Sequence, residues 1–162
     1  MALNKIECTL KIKPVTLNHT EKSGYRNGKH VRYSTREYKY FQKECERQLF
    51  DFKKEFCALA KKYRPTLDCF RVSYVYSTPF LRVKSGRSKG KISKKSLDLS
   101  NIEKPLEDQL FTYLEVFNDQ IDDCMVCEVY KKKTYGLDFS IEITIEVIEL
   151  NAHLKRQEFL PV

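Results

Sequence analysis

The chain has no tryptophan and no apolar run of membrane-spanning length, and no secretory leader is expected. Its first thirteen residues alternate polar and apolar side chains and hold no apolar stretch of signal length. No segment approaches the roughly 20 apolar residues that cross a bilayer, so no membrane partner is expected. These absences point to an intracellular, cytoplasmic protein with reduced thiols. The six cysteines, Cys8, Cys45, Cys57, Cys69, Cys124 and Cys127, are scattered rather than arranged as a disulfide framework. Cys124 and Cys127 have CxxC spacing, but no second ligand pair completes a zinc site. The run 120–130 reads as a strand in which they point to opposite faces, as buried structural thiols. No internal repeat is visible either.

What is present suffices for one folded domain. In 162 residues, 41% are hydrophobic and 12% aromatic, which excludes wholesale disorder. Lys and Arg number 30 against 22 Asp and Glu, a formal net charge of +8. That balance favours a polyanion as partner, nucleic acid first, and says nothing about the fold.

Patterning predicts a strand over 6–12, then a break at 14–20 and a hairpin over 24–34 turning at Asn27-Gly28. Tyr38, Phe41, Cys45, Leu49, Phe52, Phe56 and Leu59 recur at helical steps, predicting one helix from 35 to about 63 that Pro65 prevents from continuing. Residues 70–76 alternate as a strand. A helix is expected over 101–114, a strand over 120–130, a hairpin loop over 131–138 and a strand over 139–147. The tail from 151 reads as a short polar helix or a dimer arm. The order predicts an α+β fold: a single domain over 1–162, core about 6–150, with a mixed sheet carrying helices on one face.

Two charged segments break the general pattern. Residues 81–95 (LRVKSGRSKGKISKK) hold seven Lys or Arg with no apolar periodicity, a flexible basic loop. Lys84, Arg87, Lys89, Lys91, Lys94 and Lys95 are candidate phosphate contacts, joined by Arg26, Lys29 and Arg32 of the hairpin. Tyr25 and Tyr33 either stack on unpaired bases or are ordinary hairpin packing. Immediately afterwards, residues 96–123 hold eight carboxylates and one lysine, in a chain that is otherwise basic. Asn101, Lys104 and Asp108 share a helix face. Asp98 precedes the helix and Asp119 follows it. Brought together beside Lys104, two such carboxylates need a cation between them. Hard oxygen ligands open to solvent suit Mg²⁺, and a metal-activated water would hydrolyse a phosphodiester. The plainer alternative is a capping box, Ser100 as N-cap and Glu103 at the third helical position, with Lys104 pairing Asp108 and with Asp122 and Asp123 solvated.

The run Asp98-Leu-Ser100-Asn101-Ile-Glu103-Lys104-Pro-Leu-Glu-Asp108, followed by Asn118-Asp119-Gln120-Ile121, resembles the signature of RusA-type Holliday junction resolvases. Their pattern is D-L-D-N-x-x-K-x-x-x-D and then a D-D-x-Q-I-like turn. Residues 13–19 (KPVTLNH) are similar to the family's P-P-S-x-N entry, which places Asn18 among the DNA contacts. The resemblance covers 6 to about 147. It implies a homodimeric, phage- or prophage-encoded endodeoxyribonuclease that nicks four-way junctions with Mg²⁺, or Mn²⁺ in its place. It makes Asp98 and Asp119 metal ligands, Lys104 the catalytic lysine, and Asn101 and Asp108 supporting groups. Ser100 stands where the family has its second aspartate, and Asn118 where it has the first acid of the later pair. Ser100 acting through a water, Glu103 from the next turn, or Asp122 or Asp123 could supply the lost charge. The alternative is a junction-binding protein that cuts weakly or not at all.

Overall fold

The computed structural model describes residues 4–151. β1 (Lys5–Leu10) is followed by a two-stranded ribbon, β2 (Glu21–Arg26) and β3 (Lys29–Ser34). Helices α1 (Arg36–Leu49) and α2 (Lys53–Lys62) come next. Then follow β4 (Asp68–Thr78), α3 (Leu99–Glu115), β5 (Val126–Tyr135) and β6 (Ser140–Glu149). The tail predicted from 151 lies, after Asn151, outside the described residues.

Alternation decides which side of the sheet is buried. Phe70, Val72, Tyr74 and Tyr76 of β4, Ile141, Ile143 and Ile145 of β6, and Ile6, Cys8 and Leu10 of β1 form one buried face. The other face carries Glu7, Thr9, Glu142, Thr144 and an ion-pair group in which Arg71 bonds Glu128 and Glu146. The buried face is covered by Phe41, Cys45 and Leu49 of α1, Phe56 and Leu59 of α2, and Ile102, Leu106, Leu110 and Leu114 of α3. A single α+β domain with a mixed sheet and helices on one face is thus what the pattern predicted. Among the described residues no helix is long and apolar enough to cross a membrane.

Four expectations need correction. The helix over 35–63 is two helices, with a 3-10 turn at Phe50–Phe52. No Gly or Pro marks that break. Just before it, the Gln48 side chain bonds the main chain of Lys11 in both directions, Lys11 N–H donating at 2.7 Å. The tightened turn still keeps Phe52 on the inner side, so the apolar periodicity runs on unbroken.

The strand expected over 120–130 is displaced to Val126–Tyr135, and 131–138 is no hairpin loop. The sheet order is β1-β6-β4-β5, with β5 parallel to β4 and β6 antiparallel to it. β4 therefore lies between the last two strands, and residues 136–139 cross over its end. Gly136 permits that crossing: a Cβ there would lie 2.9 Å from the Cβ of Ser77. The lysines at 131–133 that suggest a loop belong to an edge strand, where lysine is well tolerated.

Cys124 and Cys127 are exposed rather than buried. Cys124 falls in a 3-10 turn that Asp122 caps by accepting from its N–H at 3.0 Å. The basic loop 81–95 also closes on itself, with Val83 N–H bonding Lys91 O at 2.9 Å and Ser93 N–H bonding Leu81 O at 3.0 Å.

Asp68 is a buried charge at the start of β4. Arg64 Nη2 and Nε donate to its two oxygens at 2.7 and 2.9 Å, and the Arg64 N–H adds a bond at 2.9 Å. These bonds hold the Asp68 carboxyl below its ordinary value. A folded pKa below the unfolded one contributes stability above about pH 4, which is lost as pH falls through the folded value. Arg64→Ala should therefore destabilise the fold at neutral pH, where the Asp68 charge loses its partner. The loss should shrink as the medium is acidified, measured by urea unfolding at a series of pH values. A loss independent of pH would assign the effect to something other than the Asp68 charge.

Candidate functional site

Helix α3 is built to present a polar strip. Ile102, Leu106, Leu110 and Leu114 recur at steps of four and bury one face, which turns Asn101, Lys104 and Asp108 outward together. Pro105 lies on the buried side and has no N–H to give to the carbonyl of Asn101. The helix starts earlier than its sequence suggests. Asp98, not Ser100, is the N-cap, accepting from Ser100 N–H at 3.1 Å and from Ser100 Oγ at 2.8 Å. Aspartate caps at least as well as serine and carries the charge that the positive helix end favours. These bonds to Ser100 draw the Asp98 carboxyl below its ordinary value.

The chain reaches that cap through a strained residue. Leu97 has φ 61° and ψ 159°, a region that side chains other than glycine rarely adopt. Lys133 of β5 holds it there, donating to Leu97 O at 2.6 Å and to Ser96 Oγ at 3.0 Å. Two residues back on the same strand, Lys131 bonds Glu103. Alternation along β5 thus aims two lysines at α3, a role for 131–133 that the loop reading hid.

Lys104 is the centre of the cluster. Its Nζ lies 2.8 Å from Asp108 Oδ1 and also bonds Asp123, which the 3-10 turn after residue 122 delivers. Asp108 first, and then Asp123, raise the Lys104 pKa well above that of an ordinary lysine. Glu107 is half-buried beside them. Burial, and then the charge of Glu103, pushes its carboxyl above the usual carboxylate range. The phenols of Tyr74 and Tyr76 lie buried behind Glu103 and Glu107.

Asp119 does not join this cluster. It is exposed in the turn after α3, whose seventeen residues span about 25 Å. Residues 116–119 can return at most about 14 Å. Hydrogen bonds from the N–H groups of Phe117 and Asn118 to Leu114 O, and from Asn118 Nδ2 to Ala60 O at 2.9 Å, keep them at the far end. Asp98 and Asp119 therefore cannot share an ion. Asp123, not Asp119, is the acid that the chain returns to Lys104. The four extra residues before Asp123 form the turn around buried Ile121.

A hard cation suits these donors. Magnesium is commonly held by one or two carboxylates plus substrate phosphate and water, not by an all-protein cage. Asp108 and Asp123 are two carboxylates already gathered around one positive centre, the Lys104 ammonium. Among the described residues no three His, Cys, Asp or Glu side chains form a metal group, so a protein-only site is not what the donors offer. Ser100, a neutral hydroxyl among carboxylates, is the poorest of the candidate ligands for a hard dication.

A cleft of about 220 Å³ beside Asp108 and Asp123 is lined also by Phe111, Thr112, Glu115, Ile121 and Asp122. A larger one, about 470 Å³ between α1 and α3, has Glu46 as its one carboxylate, with Lys39, Lys43, Thr112 and Tyr113 also lining it. The basic candidates lie outside the acidic cluster. Lys84, Arg87, Lys89, Lys91, Lys94 and Lys95 are exposed on the loop that leads into α3, and Asn18 is exposed in the turn before β2. Arg26 and Lys29 flank the tip of the ribbon, with Arg32 along β3.

No family model matches the chain, and no curated protein matches it.

If Asp108 and Asp123 both hold the Lys104 ammonium, Asp108→Asn and Asp123→Asn should each lower its pKa, and Asp119→Asn should leave it in place. Side-chain NMR titration of Lys104 reads this directly. A shift on Asp119→Asn alone would reverse the assignment.

Proposed function

We propose that the protein is a RusA-like, structure-specific endodeoxyribonuclease that nicks branched DNA, four-way junctions among them. The observation that carries this reading is Lys104 clamped by Asp108 and Asp123 directly beyond a strongly basic loop. Phosphodiester cleavage needs that combination: cations that bind backbone phosphate and a positive group at the reacting one.

Asp108 and Asp123 would hold Mg²⁺ or Mn²⁺; Asp98, ten residues and about 15 Å up the same helix, is too far away to share that ion. The bound metal would polarise the scissile phosphate and make a nucleophile of its water. The chain's own part is positioning and charge. Lys104 remains an ammonium throughout the working pH range, because its two carboxylates raise its pKa. It can neutralise charge on a phosphate oxygen as the bond breaks. Lys131 and Lys133 fix the start of α3 against β5, which keeps Asp98 and Lys104 in register. The basic loop and the ribbon would take phosphates on either side, in contacts that are sequence-blind and sensitive to salt. A homodimer would match the two-fold shape of a four-way junction.

A second reading has its own support. Ser100 stands where the family carries an aspartate, and a neutral hydroxyl there brings one negative charge fewer to a cation. That favours a junction-binding protein with weak cleavage or none.

The deciding experiment is nicking of a synthetic four-way junction with Mg²⁺ or Mn²⁺. Lys104→Met and Asp123→Asn should lower cleavage by at least about a hundredfold with binding retained. Asp119→Asn should stay near wild type, and Ser100→Asp should raise the rate. Tight binding without nicking in either metal would leave the second reading standing.

A further inference from the structure

The β2–β3 ribbon has no packing role of its own. None of its twelve strand residues is buried, although an isolated two-stranded ribbon is marginal in water. It is held by its roots. At its base Thr35 N–H donates to Thr20 O at 2.9 Å, and Thr35 Oγ1 to His19 O at 2.5 Å. The turn Leu17–His19 packs against α3, and Tyr38, just past the ribbon, accepts a bond from Gln109 of α3 at 3.2 Å. Both roots thus rest on the helix that carries Lys104. The tip is rigid as well: Asn27 and Gly28, at φ 52° and 75°, form the turn whose twist matches that of paired strands.

The arm carries Lys22, Arg26, Lys29 and Arg32 against the single carboxylate of Glu21. None of the four pairs with a carboxylate among the described residues. Its two tyrosines differ. Tyr33 lies across Gly24, where an added Cβ would meet its ring at 3.4 Å, so Tyr33 is hairpin packing. Tyr25 is 81% exposed near the tip, touched edge-on by the His30 ring at 5.5 Å. An exposed aromatic face flanked by unpaired cations is the arrangement that binds single-stranded nucleic acid, the ring stacking on a base and the cations taking phosphates.

We infer that the ribbon is a single-strand-binding arm, in which Tyr25 stacks on an unpaired base while Arg26, Lys29 and Arg32 hold the flanking phosphates. Its place in catalysis, at the unpaired bases of a branch, rests on the nuclease reading; its binding chemistry does not. Tyr25→Ala should weaken binding of a short thymidine oligonucleotide about tenfold or more and leave blunt duplex binding unchanged. Tyr25→Trp should restore it, and Tyr33→Ala should have the smaller effect. Single-strand binding unaffected by Tyr25→Ala, no single-strand binding at all, or an equal loss on duplex overturns the arm. If nicking persists in any of those cases, the nuclease reading survives alone. Tyr25-dependent single-strand binding without nicking leaves the arm and removes the nuclease.

Discussion

The apolar seam between α3 and β4 is the constraint on which the polar site depends. Ile102, Leu106, Leu110 and Leu114 bury against a sheet face that includes Phe70, Val72, Tyr74 and Tyr76. Phe70 meets Phe111 edge-on at 5.4 Å. Burying side chains of this size is worth roughly 1.5–3 kcal/mol each, well above the worth of the exposed ion pairs outside. The seam fixes the rotation of α3 about its axis, and rotation decides which residues face out. Lys104 and Asp108 are outward because their neighbours one and two positions away are inward. A helix turned by a quarter would bury Lys104 or swing it away from Asp123.

Charge is arranged around this helix in a definite order. Three lysines reach its surface: Lys104 is its own, and Lys131 and Lys133 come from the edge strand. Each engages a different feature: the carboxylates of Asp108 and Asp123, that of Glu103, and the strained turn before Asp98. The acidic cluster is therefore partly neutralised by the chain itself. Remaining cations, on the loop 81–95 and on the ribbon, are exposed and free to meet a polyanion. The two sets are physically distinct although the sequence counts them together in a net charge of +8. Cations internal to the cluster set its geometry; those outside it would set affinity and salt dependence under the proposed DNA binding.

Legibility in the sequence followed the range of the interactions. Period-two alternation in 70–76 and 139–147, and the Asn27-Gly28 turn, are local signals, and the strands and hairpin formed there. The helix break at 50–52 has no Gly or Pro to mark it, and the side-chain bond of Gln48 to Lys11 beside it spans 37 residues, so no local pattern reports either. β5 was misplaced because charged lysines resemble a loop until an edge strand and a helix surface are there to receive them. The polar face of α3 was legible from spacing alone. Its partner across the gap was not, because whether residue 119 or 123 returns to Lys104 depends on how the chain turns around Ile121. Three-residue and four-residue steps locate groups on one helix; they say nothing of which acid a loop brings back.

The start of α3 sharpens the question that Ser100 raises. As second residue of the helix, Ser100 gives both its N–H and its hydroxyl to Asp98 Oδ1. An aspartate at this position could give only the N–H, and its charge would lie beside that of Asp98 at the positive end of the helix. Lys131 and Lys133 stand close enough to lower the pKa of Asp98, so the neighbourhood is electrostatically able to carry a second carboxylate. Serine trades that charge for a better-made cap. It ties down one oxygen of Asp98 twice and makes that oxygen a weaker donor to any cation. Ser100 thus stabilises the helix start and makes the Asp98 oxygen it bonds a weaker ligand.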